Sequence, residues 1–487
     1  MLRAARSSRV VPHLSFPAVV RLLLPAAALA LLLVSCGGGG GSSLSSGGSG
    51  GVAAQIAACQ QGLPALQTGL ASNVASVVVD SGPCGVCPSG SKYCTAGNVV
   101  SVNAVNIPYT SVTICVPGST TACQTIDHIM VDTGSSGLRI MSSVLSSSLA
   151  LPAVSYGSSP LRECVQFADG YSWGSVHLAD VKVAGETASG ISVQIIGDSS
   201  SSSVPSACTS GFPTTPTALN DVVSFGSNGV LGVGLFAQDC GTGCTASGNP
   251  IYHACTGSAC AASTGVGIPL NQQVTNPVAA FAADNTGVIL QMGSVTNPTG
   301  ARNIYGTLVF GINTGPANTL LSAPASGVYR ADYNANFDAT LTQATSSLAG
   351  YVIPANTFSS SFIDSGSNGL YLPLPSTGSI PTTTDGWFAP STLDTLGVTV
   401  QGHDPNTNLA IGPTGNFSIS IANADASLFT TTNNAFNNLG APSLGSGTTG
   451  GVDFGLPFFY GKPVYVAIEK VNLTVGGTVY TGPFWAF

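Results

Sequence analysis

Charged side chains are scarce in this sequence: they make up 7% of its 487 residues, with 12 Lys and Arg against 20 Asp and Glu. A surface so poor in basic groups is a poor partner for nucleic acid, so we expect no nucleic-acid binding. The five His residues are scattered without metal-ligand spacing, and we therefore expect neither a metal nor a cofactor. Cysteine is absent after residue 260, so the second half of the chain must rely on its own hydrophobic core.

What the sequence does contain is short runs of Val, Ile and Leu separated by Gly, Ser, Thr and Ala. This pattern predicts a β-rich, turn-rich protein rather than a helical one. Hydrophobic residues make up 44% of the chain, which argues against disorder of the whole chain. Because 487 residues exceed what one compact core usually holds, we expect two lobes.

The N-terminal segment has the pattern of an export signal. Arg residues precede an apolar run at 22–34 that is too short to span a bilayer comfortably. The run ends in Leu33-Val34-Ser35-Cys36 and is followed by glycines, which resembles the lipobox of bacterial lipoproteins. The resemblance implies that residues 1–35 are a lipoprotein signal peptide and that Cys36 is the lipidated first residue of the mature chain. An ordinary signal peptide with an incidental cysteine is the alternative interpretation.

Export determines the expected charge and location of the mature protein. Four of the Arg residues precede Cys36, so 8 basic and 20 acidic residues remain after cleavage, a formal net charge of −12. Gly37 rather than Asp follows the cysteine, and by resemblance to Gram-negative lipoproteins this favours the outer membrane. We therefore expect attachment to that membrane through lipid on Cys36, with the Gly/Ser-rich residues 37–51 as a flexible tether.

Twelve cysteines remain when Cys36 is set aside, an even number in an oxidising compartment, so disulfide bonds are expected. Cys115 and Cys123 flank a Pro-Gly turn between two strand-like runs and favour a bridge across a hairpin. Four more cysteines fall in one loop, and we expect disulfide bonds among them to stabilise it: Cys240, Cys244, Cys255 and Cys260. A zinc site is the second interpretation of another group, disfavoured by export and the absence of a nearby His: Cys59, Cys84, Cys87 and Cys94.

Two short stretches, 130–138 and 362–370, are nearly alike and lie 232 positions apart. Each has an apolar strand end, then Asp132 or Asp364, a small hydroxyl residue, Gly, Ser, a small polar residue, Gly and Leu. The repetition indicates an internal duplication that brings two carboxylates together. Two facing carboxylates share a proton and titrate as a unit, and they activate a water molecule between them. Two unrelated turn aspartates are the alternative, since such strings are common in a Ser/Gly-rich chain.

An Asp at the end of a buried strand needs partners for its oxygens. The residues that follow each Asp supply them: the glycine allows a tight turn that directs backbone N–H groups at the carboxylate, and the next serine donates its hydroxyl. The first hydroxyl residue of each loop is left to tie one loop to the other. The predicted supports of the catalytic pair are Thr133, Gly134, Ser135, Ser365, Gly366 and Ser367.

Three further segments lie in the order found in pepsin-like aspartic proteases, and from residue 99 onward the chain resembles that family. Gly229–Gly234 and Val452–Tyr460 are similar to the segments that thread behind the two Asp loops, and Gly306–Gly311 is similar to the strand that closes the first lobe. The chain also resembles an uncharacterised set of bacterial pepsin-like lipoproteins. The resemblance implies an all-β, bilobal fold with a cleft between the lobes, in which Asp132 and Asp364 are catalytic.

The family resemblance also has three departures. The flap hairpin would be Cys164–Val183, with Phe167 at the usual Tyr position and Tyr171 nearby as a substitute; both are predicted to lie at the flap and substrate cleft. Arg139 replaces the aromatic residue that normally follows the first loop, and Asp453 stands where an apolar residue is expected. These changes leave the Asp pair intact but affect flap closure and substrate binding.

The predicted organisation is a signal peptide (1–35), a tether and Cys-containing segment (36–97), an N-terminal lobe (98–318) and a C-terminal lobe (319–487). The predicted function is that of an exported, lipid-anchored aspartic endopeptidase, a monomer that hydrolyses peptide or protein substrates. The alternative is a catalytically silent pepsin-fold lipoprotein that acts in binding or in cell-envelope structure.

Overall fold

The computed structural model describes residues 51–487 except 92–93, 168–169, 199–202, 211, 213–214, 257–258, 261–264, 316–317, 320–326, 344–356, 374–379, 444–449 and 476. The predicted signal peptide, Cys36 and nearly all of the tether fall outside the described residues. Among the helices that are described, none has the length and apolar character needed to cross a bilayer.

Strands account for most of the regular structure in the first part of the chain. In chain order they are β1 Val74–Val79, β2 Cys84–Val86, β3 Val99–Ser101, β4 Pro108–Cys115, β5 Cys123–Asp132, β6 Ser136–Met141, β7 Ser155–Tyr156, β8 Ser159–Gln166, β9 Gly170–Val183, β10 Glu186–Ile196, β11 Thr217–Ala218, β12 Gly229–Val233, β13 Tyr252–Thr256, β14 Ala259–Cys260, β15 Gly287–Met292 and β16 Ile304–Phe310.

The second part of the chain continues in the same manner. Its strands are β17 Val328–Arg330, β18 Phe337–Gln343, β19 Thr357–Ile363, β20 Leu370–Leu372, β21 Asp394–His403, β22 Ala410–Ile421, β23 Gly440–Pro442, β24 Asp453–Phe454, β25 Pro463–Ala467, β26 Asn472–Val475, β27 Thr478–Thr481 and β28 Phe484–Ala486.

The described helices are short, as the composition predicts. They comprise three α-helical segments, α1 Val52–Cys59, α2 Ser206–Thr209 and α3 Val222–Phe225, a π-helical turn Ala424–Leu428, and 3₁₀ turns at Ser142–Val144, Gly241–Cys244, Leu270–Gln272, Pro277–Ala280 and Leu456–Phe458.

One strand arrangement occurs twice. In the first half β12 lies between β5 and β6, parallel to β5 and antiparallel to β6. In the second half β24 lies in the same way between β19 and β20. Each half also has one more parallel pairing: β10 pairs with β6 in the first half, and β23 pairs with β20 in the second. The chain therefore has the predicted all-β, bilobal pepsin-like fold, and its two Asp-bearing loops occupy equivalent places.

Strand β12, which threads behind the first Asp loop, has no room for a side chain at Gly232. All five residues of β12 are buried, because strands cover both of its edges. A Cβ atom on Gly232 would lie 2.8 Å from Ser135 Oγ and 2.8 Å from the carbonyl carbon of Ser136. The glycine is thus required for the strand to pass directly behind the loop.

A central sheet joins the two halves. Its strands follow the order β1-β16-β15-β25-β28-β17, and each of these pairings is antiparallel. β1 comes from the segment predicted to precede the N-terminal lobe, so the sheet begins before the predicted boundary at residue 98. The predicted boundary between the lobes at 318/319 borders residues 320–326, which are outside the described part of the chain.

The hydrophobic core continues across this sheet rather than stopping at a lobe boundary. One cluster of buried side chains includes Val77 and Leu231 from the first half and Phe337, Phe454 and Trp485 from the second. Burial of such contiguous apolar surface is the main stabilising term of the fold. The core therefore fixes the two Asp loops relative to each other.

Candidate active site

Asp132 is the last residue of β5 and its carboxylate is held by its own loop. Oδ1 accepts hydrogen bonds from the backbone N–H groups of Gly134 at 2.8 Å and Ser135 at 3.2 Å, and Oδ2 accepts from Ser135 Oγ at 2.5 Å. The parallel partner of Asp132 on β12 is Gly232. Hydrogen bonds of this kind favour the ionised form of a carboxyl group and fix its orientation.

Asp364 follows β19 and is held in the corresponding manner. Its Oδ1 accepts from Gly366 N at 2.8 Å, and its Oδ2 accepts from Ser367 Oγ at 2.9 Å. Ser135 and Ser367 thus each donate a hydroxyl hydrogen bond to the Asp three residues earlier, which is the contact that the sequence predicts for these serines.

The hydroxyl residues next to the two aspartates join the loops reciprocally. Ser365 N donates to Thr133 Oγ1 at 2.9 Å, and Thr133 N donates to Ser365 Oγ at 3.1 Å. Ser365 Oγ in turn donates to the carbonyl of Val131 at 2.7 Å. Both residues are almost fully buried, so these bonds are shielded from competing water. They fix the spacing between the two loops.

Each loop glycine lies against the carboxyl group of the other lobe. A Cβ atom on Gly134 would be 2.5 Å from Asp364 Cγ. A Cβ atom on Gly366 would be 2.8 Å from Asp132 Oδ1 and 3.1 Å from Asp364 Oδ1, so these two oxygens are at most about 6 Å apart. The fold thus brings the two predicted catalytic carboxyl groups close together across the two loops.

Both carboxylates are deeply buried. Asp132 is 1% exposed and Asp364 is fully buried. A cavity of about 450 Å³ opens beside their loops and is lined by Thr133, Gly134 and Ser135 together with apolar residues of both lobes, including Phe236, Ile363 and Trp485. Asp132 and Asp364 themselves are not among the lining residues of this cavity.

Arg139 forms a buried ion-pair cluster at the wall of this cavity. Its Nη2 lies 2.6 Å from Glu163 Oε1 and 3.2 Å from Asp239 Oδ2, and Tyr252 donates its hydroxyl to Asp239 Oδ1 at 2.7 Å. Burial raises the pKa of Asp239 well above its usual range, and the charge of Glu163 raises it further. Arg139 is therefore held between acidic groups in the interior, 1% exposed to solvent.

The predicted flap hairpin corresponds to β8 and β9, and its aromatic residues pack within the N-terminal lobe. Phe167 is 4% exposed and lies edge-on to Phe225, with 5.6 Å between ring centroids. Tyr171 packs with Trp173 and Cys164. Neither Phe167 nor Tyr171 lines the cavity beside the Asp loops.

Three features hold this hairpin in place. β13 pairs with the outer edge of β8, placing Tyr252 opposite Glu163, and a disulfide joins Cys164 on β8 to Cys208 on α2. β11 pairs with the start of β9 beyond the hairpin tip. The described strands of the hairpin thus have a covered edge and a covalent anchor.

Asn106 is a site residue that sequence reasoning missed. It is fully buried and links the segment before β4 to the second Asp loop and to other segments of the C-terminal lobe. Nδ2 donates to the carbonyls of Asn368 and Phe436, each at 2.9 Å, and Oδ1 accepts from Phe436 N at 2.7 Å and Tyr460 Oη at 2.9 Å. The residues Ala-Val-Asn-Ile around it give no sequence signal of this role, because all three partner residues are at least 262 positions away.

A third carboxyl group, Asp453, lies behind the second Asp loop. It is fully buried, and neither of its oxygens has a hydrogen-bond partner among the described residues. Burial raises its pKa well above the usual range, and the charges of Asp364 and Asp132 raise it further, while Ser367 lowers it. The sequence marked this position as unusual; the structure adds that the side chain is enclosed next to the pair.

The cysteines outside the site form disulfides. Cys115–Cys123 crosses the β4–β5 hairpin as predicted, and the four cysteines of the 240–260 segment form two short bridges, Cys240–Cys244 and Cys255–Cys260. Cys59–Cys84 and Cys87–Cys94 are also bridged, which rules against the zinc interpretation of that group. In the described part of the chain no three His, Cys, Asp or Glu residues are grouped to hold a metal ion.

Comparison with known proteins places the chain in a family. The model of a family described as a protein of unknown function, DUF3443, matches residues 90–487, and the chain belongs to this family. Among solved structures, the crystal structure of an aspartic proteinase from Irpex lacteus is similar, with a TM-score of 0.38 and 13% identity over 78% of this chain and 94% of that chain. No curated protein matches the sequence.

Proposed function

We propose that the protein is an aspartic endopeptidase. The observation that carries the proposal is the mutual approach of the two loops, in which Gly134 contacts the carboxyl of Asp364 and Gly366 contacts that of Asp132. Two carboxylates at this separation are held in one protonation unit, because the second charge is disfavoured next to the first. That is the arrangement required for acid–base hydrolysis by a shared water molecule.

In this mechanism the ionised carboxylate removes a proton from the bridging water as the water oxygen attacks the peptide carbonyl carbon. The protonated carboxyl group donates its proton to the carbonyl oxygen, which gives a neutral tetrahedral intermediate. Transfer of a proton to the amide nitrogen then allows the C–N bond to break, and the free acid and amine leave. No covalent bond forms to the enzyme, and Ser135 and Ser367 keep the two carboxyl groups in orientation.

Peptide cleavage by purified protein and by single Asp→Asn variants tests the proposal. A mixed peptide library should be cleaved somewhere between about pH 3 and 7, the range in which coupled aspartates titrate. Asp132→Asn and Asp364→Asn should each abolish cleavage, whereas Asp425→Asn, an exposed aspartate, serves as a matched control and should retain it. Equal cleavage by all four proteins would attribute the activity to a contaminant and contradict the proposal.

A binding or structural protein without turnover is the second candidate. Two observations favour it: the near-complete burial of Asp132 and Asp364, and the anchoring of the β8–β9 hairpin by Cys164–Cys208. A statine-type transition-state mimic separates the candidates, because an endopeptidase should bind it tightly and lose affinity in Asp132→Asn. Absence of both binding and cleavage, in protein whose thermal unfolding is cooperative, would favour the silent alternative.

We further propose that the protein is exported and attached to the outer membrane by lipid on Cys36. The lipobox-like sequence supports this, as do six disulfides, which form and persist in oxidising compartments. Expression in a Gram-negative host with a clickable fatty acid should label the wild type and leave Cys36→Ser unlabelled. Equal labelling of both proteins, or recovery of the wild type in the soluble fraction, would contradict the anchor.

A further inference from the structure

A histidine is enclosed between two carboxylates in the C-terminal lobe. His403 is the last residue of β21 and is 2% exposed. Its Nδ1 lies 3.2 Å from Asp332 Oδ2, and its Nε2 lies 2.9 Å from Asp338 Oδ1. Asp338 belongs to β18, whereas Asp332 belongs to the turn 332–336, which connects β17 to β18. The imidazole ring thus joins this turn to the sheet.

These contacts require one proton more than a neutral histidine brings. An ionised carboxylate is an acceptor only, so each ring nitrogen that faces one must carry a hydrogen. Asp332 is held in the ionised form, because its Oδ1 accepts from the backbone N–H groups of Asn334 at 2.7 Å and Asn336 at 3.0 Å. An imidazole is also the stronger base, with an ordinary pKa of about 6.5 against about 3.9 for Asp. The extra proton therefore belongs to His403.

Strands β17, β18 and β22 pack against β21. β22 has no titratable side chain, and β18 has only Asp338. The charge of Arg330 acts on Asp404, the residue after His403. The charges that act on His403 itself are those of its two carboxylate partners. The remaining titratable side chains of these strands and of the turn are Tyr329 on β17, Tyr333 in the turn and Asp394 at the far end of β21.

The same contacts determine when the ring is charged. Burial lowers the pKa of His403, but hydrogen bonds and charges from Asp332 and Asp338 raise it, and the net result is a pKa above the usual value. The link is therefore complete below the unfolded pKa of about 6.5 and is lost as the pH rises through the higher folded value.

The turn that His403 holds forms part of the wall of the cavity beside the Asp loops. Tyr333, Asn334 and Ala335 line this cavity from the C-terminal lobe. Ala335 has a φ of 60°, a left-handed conformation that alanine adopts only where its surroundings impose it. Asp332 imposes it here, because one carboxylate oxygen binds the N–H groups of the turn and the other contacts His403. The shape of this wall thus depends on the orientation that His403 gives to Asp332.

We propose that His403 is a positioning residue of the candidate active site: its imidazolium holds Asp332, and with it the turn 332–336, in place as a wall of the cavity. When the ring loses its proton, one nitrogen directs a lone pair at a carboxylate, and the turn is released from the sheet. The wall is thus ordered at acidic pH and loosens as the pH rises. The effect on catalysis rests on the proposed endopeptidase function, whereas the link between His403 and the turn requires no turnover.

Two measurements on the purified protein test the link itself. NMR titration of the histidine rings gives the midpoint of His403, which the spectrum of His403→Gln assigns. Pulsed hydrogen exchange gives the protection factors of amides 333–336 from about pH 5 to 10, a range that includes the ordinary His value of about 6.5. In the wild type, protection of these amides should fall at the His403 midpoint. Protection that does not change at that midpoint would overturn the inference.

Asp338→Asn moves the midpoint without removing the ring. The variant keeps an acceptor opposite Nε2 but lacks the negative charge, so the His403 midpoint should fall by about one pH unit or more. The loss of protection at 333–336 should shift by the same amount. Asp425→Asn, which removes an exposed aspartate, is the matched control and should change neither value. A midpoint that falls while the loss of protection stays at its wild-type pH would contradict the link.

Cleavage assays test the effect on the active site. In His403→Gln a single nitrogen donates, so one of the two carboxylates loses its partner. At about pH 5, below the ordinary His value, KM should rise at least about threefold, as expected when the turn is in place for a third of the time. The value of kcat should stay close to wild type, which is the pattern of a lost binding contact. Equal KM values at this pH would overturn the role of His403 in the site.

The inference and the proposed function fail separately. If no peptide is cleaved but protection of 333–336 follows the His403 midpoint in wild type and in Asp338→Asn, the function fails while the link holds. If peptides are cleaved and protection is the same in wild type, Asp338→Asn and His403→Gln at every pH, the function holds and the inference fails. If His403→Gln does not fold, Asp338→Asn decides the matter, because its imidazole ring is intact.

Discussion

Thr133 and Ser365 exchange hydrogen bonds across the two halves of the molecule, each accepting from the backbone N–H of the other. The two residues belong to different lobes and lie 232 positions apart in the chain. Through them, the backbone that carries Asp132 is attached directly to the backbone that carries Asp364. The geometry of the pair therefore depends on these two hydroxyl groups.

Removal of the hydroxyl group of Thr133 or of Ser365 should weaken the link between the two Asp loops. Thr133→Ala and Ser365→Ala each leave a buried backbone N–H without its acceptor, which costs about 1–3 kcal/mol. The two changes should be non-additive in a double-mutant cycle, with a coupling of at least about 0.5 kcal/mol, and peptide cleavage should fall in both. Urea unfolding and cleavage assays measure these effects.

Thr125→Ala is the matched control for this cycle. Thr125 shares a hydrogen bond of 2.7 Å with Thr113 across β4 and β5, but it is exposed to solvent. Its loss should change stability by no more than about 0.5 kcal/mol, with cleavage unchanged. Thr133→Ser, which retains the acceptor, should also remain close to wild type. If the effects of Thr133→Ala and Ser365→Ala on stability are additive, or as small as that of Thr125→Ala, the hydrogen-bonded link between the two loops is contradicted.

The bridge between Cys164 and Cys208 should contribute more stability than the small bridge between Cys240 and Cys244. The first closes a separation of 44 residues and the second a separation of 4. Loop-closure entropy gives about 4 kcal/mol for the larger loop and about 2 kcal/mol for the smaller. Urea unfolding of Cys164→Ala/Cys208→Ala and of Cys240→Ala/Cys244→Ala compares them.

Loss of the larger bridge should also release the hairpin that it anchors. Limited proteolysis should then cut near residues 167–170 in Cys164→Ala/Cys208→Ala at concentrations of protease that leave the wild type and the Cys240→Ala/Cys244→Ala protein intact. Identical proteolytic patterns in the three proteins would mean that β13 alone holds β8, and that the disulfide does not restrain the hairpin.

His128 should make stability depend on pH in the alkaline range. Burial alone would lower the pKa of His128, but hydrogen bonds and charges from Asp127 and Asp80 raise it to about 9. Its Nδ1 lies 3.2 Å from Asp127 Oδ2 and its Nε2 lies 3.4 Å from Asp80 Oδ2. The stabilisation is complete below the unfolded pKa of about 6.5 and is lost as the pH rises through about 9.

Comparison of wild type with His128→Gln isolates this contribution. The variant should be less stable by on the order of 3 kcal/mol at pH 6, and the difference should shrink towards zero by about pH 10. His253→Gln is the control, because burial lowers the pKa of His253 and its effect should be confined to pH values below about 6.5. A constant difference for His128→Gln across the range would show that the imidazole is not charged in the folded protein.

The sequence allowed the site to be predicted where the information is local. The Asp loops, their serines and the Cys115–Cys123 bridge each occupy fewer than ten consecutive residues. Strand patterning indicated a β-rich protein, and the resemblance to pepsin-like aspartic proteases implied the bilobal fold. The order of these pieces was enough to predict two equivalent lobes.

The missing parts of the prediction are long-range. Asn106 takes its partners from segments more than 260 residues away, and β1 pairs with β16 at a separation of more than 220 residues. Nothing in the sequence around Cys164 selects Cys208 as its partner. The burial of Asp453 could be recognised only in the structure, because an acidic residue in an apolar segment is informative only once its surroundings are known.

The central sheet has a consequence for how the molecule reaches its fold. β1, at Val74–Val79, pairs with a strand more than 200 residues later, and β28, at Phe484–Ala486, is inserted between β25 and β17. Such pairings are slow to form, and the sheet cannot close until residue 486 has left the ribosome. The central sheet should therefore be completed only after this part of the chain has been synthesised, and until then the apolar strands of the nascent chain depend on protection from aggregation.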